Sequence, residues 1–261
     1  SQCIVDAKTN IEAIDKSIKD LYSTGYMHNH LRMYVASIST NIAKSHWKQP
    51  AKWMYYHLLD GDWASNALSW QWVSGANSNK KYIANQDNIN KYTYSNQKNT
   101  FLDCSYEEIM NLEQPSNFKL VCKEILKTEF PDFEKFSIEN NKPICIYNYY
   151  NLDPLWRKDL NATRILLLEP SIFNKYPIGK KAMNFMLALS KNIPSIKVFV
   201  GEFDELEIDL LDKSTKEEET FTALDIDYLD FDFLKDVLEE LVINNKIKHF
   251  ENYYSALNLS L

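Results

Sequence analysis

The stretch Leu58-Leu59-Asp60-Gly61-Asp62-Trp63-Ala64-Ser65-Asn66-Ala67-Leu68-Ser69-Trp70-Gln71-Trp72-Val73 decides how this chain is read. Pro50 opens a helix that carries Trp53 to Leu59, Asp60-Gly61-Asp62 interrupts it, and a further helix covers residues 64–73. Upstream, an amphipathic helix over residues 28–46 (Leu31, Val35, Ile38, Ile42) presents Asn29 and Arg32 in its first turn. An arginine, two carboxylates and the Asn66 carboxamide at helix ends suit a buried polar ligand that offers both donors and acceptors. They equally suit a buried Arg–Asp pair joining two helices.

Working outward, five of the six tryptophans (Trp47, Trp53, Trp63, Trp70, Trp72) fall within 26 residues. The same region is basic. Residues 26–100 hold eight Lys/Arg against three acids, a local +5, in a chain of net charge −7. A basic, tryptophan-rich segment in an acidic chain reads as a polyanion-binding surface, with a solvated charged face as the plain alternative. Only five glycines are present, with no G-x-G-x-x-G or G-K-[ST], which excludes a glycine-lined phosphate loop.

Length and a 45% hydrophobic, 25% charged composition fit a globular protein of one large or two ordinary domains. Cys3, Cys104, Cys122 and Cys145 are widely spaced without C-x-x-C, so they read as structural thiols of a reducing compartment rather than metal ligands. The first 25 residues lack an apolar signal core, and the longest aliphatic run, 165–168, is far short of a membrane span. The protein is expected to be cytoplasmic and without metal. Ser1 runs almost directly into a helical pattern, which leads us to expect the C-terminal piece of a longer protein.

Asn10 is the expected N-cap of a helix over 11–22 that Thr24-Gly25 stops. Residues 74–100 read as a long polar loop, helix restarts at Ser105, and another helix is expected over 117–127. After Pro131 the pattern becomes strand (143–147), strand (164–168), helix (180–191), strand (196–200), a βαβ signature with a parallel sheet. An acidic stretch (206–233) and helices over 232–244 and 251–257 come next. The expected class is α+β by segregation: a mostly α-helical domain over 1–130, then a small α/β (Rossmann-like) domain over 131–261.

The motifs resemble those of the DNA photolyase/cryptochrome family. Thr24-Gly25-Tyr26-Met27-His28-Asn29-His30-Leu31-Arg32-Met33 is similar to the family's TGWMHNRLRM segment. The string from Leu58 to Asn66 is similar to its L-[LIV]-D-G-D-x-A-[SA]-N, and Trp70-Gln71-Trp72 to its W-Q-W. Ile4-Val5-Asp6-Ala7 resembles the I-V-D-A that opens the preceding helix. Asn88-Ile89-Asn90-Lys91-Tyr92-Thr93 and Thr100-Phe101-Leu102-Asp103 look like the tail of the same domain. The strands Ile144-Cys145-Ile146-Tyr147 and Arg164 to Leu168, and the string Lys197 to Glu202, resemble the antenna-type domain, which in the family comes first. No antenna pigment follows from that likeness.

The resemblance implies a helical FAD-binding domain facing damaged DNA. Arg32, Asp60, Asp62 and Asn66 match cofactor-binding positions: the carboxylates beside isoalloxazine and ribityl, the arginine pairing the first of them, and the residue facing flavin N5. Trp70 and Trp47 match the inner and middle tryptophans that pass electrons to the flavin; the position of the outer one precedes Ser1. Asn29 matches the asparagine between flavin and lesion. Trp72 matches a ring lining the lesion cavity, and His30, Lys80 and Lys81 are the further DNA-contacting candidates. His30 stands where many repairing relatives carry arginine; with His28 it either assists proton transfer, as in relatives acting on (6-4) lesions, or is a solvated replacement.

The activity implied by the resemblance is light-driven repair of pyrimidine dimers, by an electron from reduced FAD that returns after ring splitting. The alternatives are a blue-light receptor of cryptochrome type without repair, and a flavin-free DNA-binding or interaction fragment. In the family, helices before the I-V-D-A point hold the phosphates and adenosine of FAD. This chain by itself is therefore expected to hold FAD incompletely.

Overall fold

The computed structural model describes residues 1–78, 80–123, 125–132 and 142–206. They form two compact units: Ser1–Leu126 with Tyr176–Ala182, and Lys127–Lys175 with residues 183–206. Helices and sheet are segregated along the chain, the α+β arrangement expected from the pattern.

In the first unit, α1 (Gln2–Val5) is a single turn, and α2 (Glu12–Thr24) follows a bend in which Ala7 and Asn10 take left-handed backbone. Asn10 is therefore not the N-cap, and residues 4–7 do not open α2. Ile11 holds the cap position, while Asp15 reaches back to accept from the Thr9 amide and hydroxyl, both at 2.7 Å. Ile14, Ile18 and Leu21 recur at helical spacing and are fully buried, so α2 docks on this face.

Gly25 ends α2 in left-handed backbone, φ 77°, its amide closing on the Leu21 carbonyl at 2.8 Å. Its carbonyl accepts from the Leu59 amide at 2.8 Å, and a Cβ at Gly25 would lie 2.5 Å from Leu59 Cγ. The turn at Gly25 is thus pressed onto the turn at Leu59. Gly25→Ala combines left-handed strain with overpacking, and we expect a loss of roughly 2–4 kcal/mol. A lowered urea midpoint at unchanged slope reads it out.

The chain then forms α3 (Asn29–Ser37), which widens into a π turn over Ile38–Ile42. The helix expected to reach residue 46 ends there. The hydroxyls of Ser39 and Thr40 donate to the Val35 and Ala36 carbonyls at 2.7 and 2.8 Å, competing with backbone donors and loosening the turn. Asn41 is thereby directed inward, where its Nδ2 donates to the carbonyls of Val73 and Tyr82 at 3.1 and 2.8 Å. Ser37 Oγ donates to the same Tyr82 carbonyl at 2.8 Å.

Helix α4 (Lys48–His57) keeps Pro50 in its first turn, where a missing N–H costs nothing. Helix α5 (Trp63–Ser74) starts from Asp62 and ends at Gly75, again in left-handed backbone. Residues 74–100 contain a helix the apolar pattern conceals, α6 (Gln86–Thr93). Its inward face is largely amide: Gln86, fully buried, donates to Asn90 Oδ1 at 2.9 Å and accepts from Thr100 Oγ1 at 2.6 Å. Beyond α7 (Tyr106–Met110), which Ser105 and Glu108 cap reciprocally, the described residues of 117–127 do not form the helix expected there. Among the described residues a turn forms at Ser116–Phe118; Phe118 is buried, and the Leu120 carbonyl accepts from the Gln2 amide at 2.8 Å. The segment spends its backbone on α1 instead of on a helix of its own.

The second unit carries a parallel sheet of β1 (Ile144–Tyr147), β2 (Thr163–Leu168) and β3 (Lys197–Val200) in that order. Ile146 pairs with Ile165, and Leu168 with Val200. Between β2 and β3 lie α8 (Pro170–Lys175) and α9 (Lys180–Ser190), the crossover such a pairing requires. The near-continuous burial of β1 and β2 is that of strands covered on both faces. Buried Arg164 holds the preceding loop by donating to the carbonyls of Arg157 and Leu160 at 2.8 and 2.9 Å. The helices expected over 232–244 and 251–257, and the acidic stretch after Leu206, lie outside the described residues.

Candidate functional site

One face of α3 and one face of α5 enclose an open cleft of about 220 Å³. Asn29, Arg32, Met33 and Ala36 line it from α3; Asp62, Ser65, Asn66, Ser69, Trp70 and Val73 line it from the start and body of α5. Each series follows the i, i+3, i+4, i+7 rhythm of a single helical face. Leu58 and Asp60, in the link before α5, close one side.

Gly61 permits that link. A Cβ there would press on Tyr55 and Leu58 at 3.1–3.3 Å, so the chain turns closely over the end of α4. Asp60 is thereby brought to Arg32, whose single Nη2 donates to both carboxylate oxygens at 2.8 Å while Nε donates to the Met27 carbonyl at 2.7 Å. The guanidinium is a quarter exposed and the carboxylate about half exposed, so the pair lies at the mouth of the cleft rather than sealed in the core. Its worth for stability alone is about 1 kcal/mol or less.

Asp62 is the N-cap of α5, with Oδ1 accepting from the Ser65 amide at 2.7 Å at the positive end of the helix dipole. One turn on, Asn66 Nδ2 donates to the Ala51 carbonyl of α4 at 2.9 Å, which leaves the amide's acceptor end for the cleft. Trp70 is buried to 1% exposure with its surface in the cleft wall.

Six of the residues singled out from sequence thus meet in one place: Asn29, Arg32, Asp60, Asp62, Asn66 and Trp70. The others do not line the cleft. Trp47 sits half-buried at the start of α4, its ring 5.7 Å from His46. Trp72 is half-exposed and stacks on Tyr82, His30 stacks on Tyr92, and Lys80 and Lys81 are exposed. Sequence reasoning passed over Ser65 and Ser69, although the helical spacing from Asp62 to Val73 already put them on the Asn66–Trp70 face.

Immediately before the cleft, His57 ends α4 among the rings of Tyr22, Trp53 and Tyr56, at 4.6, 5.9 and 5.0 Å. Its Nε2 is buried with no hydrogen-bond partner among the described residues. Burial pushes the imidazole down to about 4. The unfolded chain therefore takes up the proton first. Stability is intact above pH ~6.5 and falls as pH drops toward 4, by about 2 kcal/mol once partial solvent access is allowed for. His57→Phe is expected to remove this component, and the difference between wild-type and variant urea midpoints across that window measures it.

The donor set fits a flavin ring system. A flat heteroaromatic group with imide donors and acceptors calls for an arginine fork, carboxylates, a carboxamide and an apolar wall, and the cleft supplies each. Its volume, about 220 Å³, lies below the roughly 300–1,000 Å³ usual for a complete small-molecule site. It suits the ring end of a dinucleotide rather than the whole of one. No group of three or more His, Cys, Asp or Glu placed to hold a metal ion occurs among the described residues, and no helix there is long and apolar enough to cross a membrane.

Comparison with known proteins agrees with this chemistry. The family model described as the FAD binding domain of DNA photolyase matches residues 2–103. Curated relatives include the deoxyribodipyrimidine photo-lyase of Vibrio cholerae, 39% identical over 69 residues, 26% of this chain and 15% of the relative. The deoxyribodipyrimidine photo-lyase of Agrobacterium fabrum is 40% identical over 68 residues, 26% of this chain and 14% of that protein. Cryptochrome-2 of Arabidopsis thaliana is 33% identical over 69 residues, 26% of this chain and 11% of that protein. No solved structure matches. Through residues 2–103 the chain is similar to the FAD binding domain of DNA photolyase, and its relatives include both photo-lyases and cryptochromes. It spans only about 15% of the length of the first of these relatives.

Proposed function

We propose that the helical unit forms the isoalloxazine-facing part of an FAD site, and that the intact protein splits pyrimidine dimers in DNA under blue light. The observation that carries this reading is the convergence of Arg32–Asp60, Asp62, Asn66 and Trp70 on one cleft beside Asn29. When bound in its reduced form, FAD supplies the photoexcited electron that opens the dimer and takes it back afterwards. The chain's own residues position and tune. Arg32, held by Asp60 and the Met27 carbonyl, presents a fixed positive charge to the ring. Asn66, with its amide nitrogen engaged by Ala51, offers an acceptor to a ring N–H and so favours the protonated ring. Trp70 is the readily oxidised ring in the wall, with Trp47 as the next carrier. Asn29, His30, Trp72, Lys80 and Lys81 meet the DNA.

In this reading residues 1–130 are the C-terminal part of the FAD-binding domain and 131–261 a Rossmann-like domain, in a cytoplasmic protein. The test is loss of dimers from damaged DNA on irradiation of the flavin-bound, full-length protein, against a dark control. Dimer levels unchanged by light would refute the repair reading. The cryptochrome relatives favour a second one, a blue-light receptor with the same flavin site. It predicts photoreduction of the flavin without preference for damaged over undamaged DNA. A chain that shows no flavin absorption and no rise in melting temperature with added FAD would favour the third, a flavin-free DNA-binding fragment.

A further inference from the structure

The helix break that carries Asp60 and Asp62 is also held by a segment distant in sequence. Residues 176–182 belong to the first unit although they come late in the chain, and Pro177, Ile178 and Gly179 are buried. In an unbroken α-helix the carbonyl of residue 56 accepts from the amide of residue 60. Here the chain leaves α4 at Leu58 in extended backbone, and the Gly179 amide donates to the Tyr56 carbonyl at 2.8 Å. Gly179 thus fills the ladder position of the Asp60 amide, at a helix end whose last carbonyls need outside donors. Asp60 is left to turn toward Arg32.

Only glycine fits this contact. A Cβ on residue 179 would lie 2.7 Å from the Tyr56 carbonyl oxygen and 3.2 Å from the Tyr56 ring. On the other side of the break, the Tyr176 ring lies 5.0 Å from that of Trp63, the first residue of α5 and the neighbour of Asp62. Trp63 in turn meets Tyr55 edge-on at 5.6 Å, and the Lys52 ammonium stands 5.6 Å from the centre of the Tyr176 ring. One short segment therefore grips the last turn of α4 and the first residue of α5, the two anchors of the link from Leu58 to Asp62.

We propose, on the flavin reading of the cleft, that Gly179 and Tyr176 are positioning residues: they brace the break so that Asp60 and Asp62 stand at the cleft before a ligand arrives. Neither residue lines the cleft, so their effect reaches the ligand through the carboxylates. The brace works by pre-organisation. A link already fixed loses less freedom when a flat ring settles against it, and the affinity gained is the ordering cost avoided.

The test uses the full chain, titrated with FAD and, as apo-protein, followed by hydrogen exchange. Gly179→Ala is expected to weaken FAD binding about 3- to 30-fold. It should speed exchange of the Leu59 and Ser65 amides, which hold the two ends of the link, by a similar factor while the amides of α2 are unchanged. Tyr176→Ala should do the same, and Tyr176→Phe, which keeps the ring on Trp63, should match wild type. Added to Asp60→Ala, Gly179→Ala should cost little further affinity, because most of its effect passes through that carboxylate; a merely structural weakening would add in full. Melting temperatures check that each variant is folded. Wild-type FAD affinity in both Gly179→Ala and Tyr176→Ala, or a loss that adds fully to that of Asp60→Ala, overturns the proposal. A wild-type chain that binds no FAD removes the flavin reading, and exchange then decides: faster exchange at the link in Gly179→Ala keeps the brace, and equal exchange overturns it.

Discussion

Asp60→Ala is expected to weaken FAD binding about ten- to one-hundred-fold while costing the fold only about 1 kcal/mol. The asymmetry arises from where the ion pair lies. With the cleft solvated, water screens Arg32 and Asp60, and their mutual attraction adds little. With a flat ring covering the mouth, the guanidinium is cut off from water and its charge has to be balanced. Removing Asp60 then leaves Arg32 held only through Nε on the Met27 carbonyl, free to swing away from the ring. Arg32→Ala should produce a similar loss. The double variant should lose little more than either single, because the two act as one unit. Equilibrium titration with FAD, alongside urea unfolding of the apo-proteins, separates the two effects.

Trp70 gives the second large effect, and it divides by substitution. Trp70→Ala opens a cavity in a site only 1% exposed, and we expect a loss of about 3–5 kcal/mol, a large fraction of a domain's whole stability. Trp70→Phe keeps a ring in the wall at a cost of about 1–2 kcal/mol. The indole that gives up an electron readily is nevertheless gone. Flavin photoreduction in the presence of an external reductant should fall to a small fraction of the wild-type rate in Trp70→Phe, while FAD affinity changes by less than about threefold, under 1 kcal/mol. Trp47→Phe should slow photoreduction with almost no effect on affinity, since Trp47 stands outside the cleft lining.

Much of the site was legible because its chemistry is local. Asp60, Gly61 and Asp62 mark a helix break in any context, and the spacing from Asp62 to Val73 is that of one helical face. Spacing alone did not settle whether Arg32 and Asp60 form a buried structural pair or the rim of a ligand site. Their exposure places them at the mouth of an open cleft. The parallel strands were equally legible, as short apolar runs with helical spacing between them.

The misses share a cause, which is polar residues doing work that apolar periodicity does not record. Helix α6 faces inward with Gln86 and Asn90, so residues 74–100 read as loop. The π turn depends on hydroxyls bonding back to carbonyls, which ends a pattern that otherwise runs to residue 46. In the opposite sense, residues 117–127 carry enough apolar side chains to suggest a helix. Leu120, Val121 and Ile125 are exposed, and the backbone bonds to α1.

The central claim is that the cleft between α3 and α5 receives a flavin ring beside Arg32 and Trp70. Titrating FAD with the purified chain while following flavin fluorescence tests it most directly, because an indole in the cleft wall quenches a flavin stacked near it. Quenching that saturates in the wild type, is lost with Asp60→Ala and is relieved with Trp70→Phe is the predicted result. Fluorescence that stays unchanged on addition of the chain, or quenching that persists in all three proteins, would contradict it.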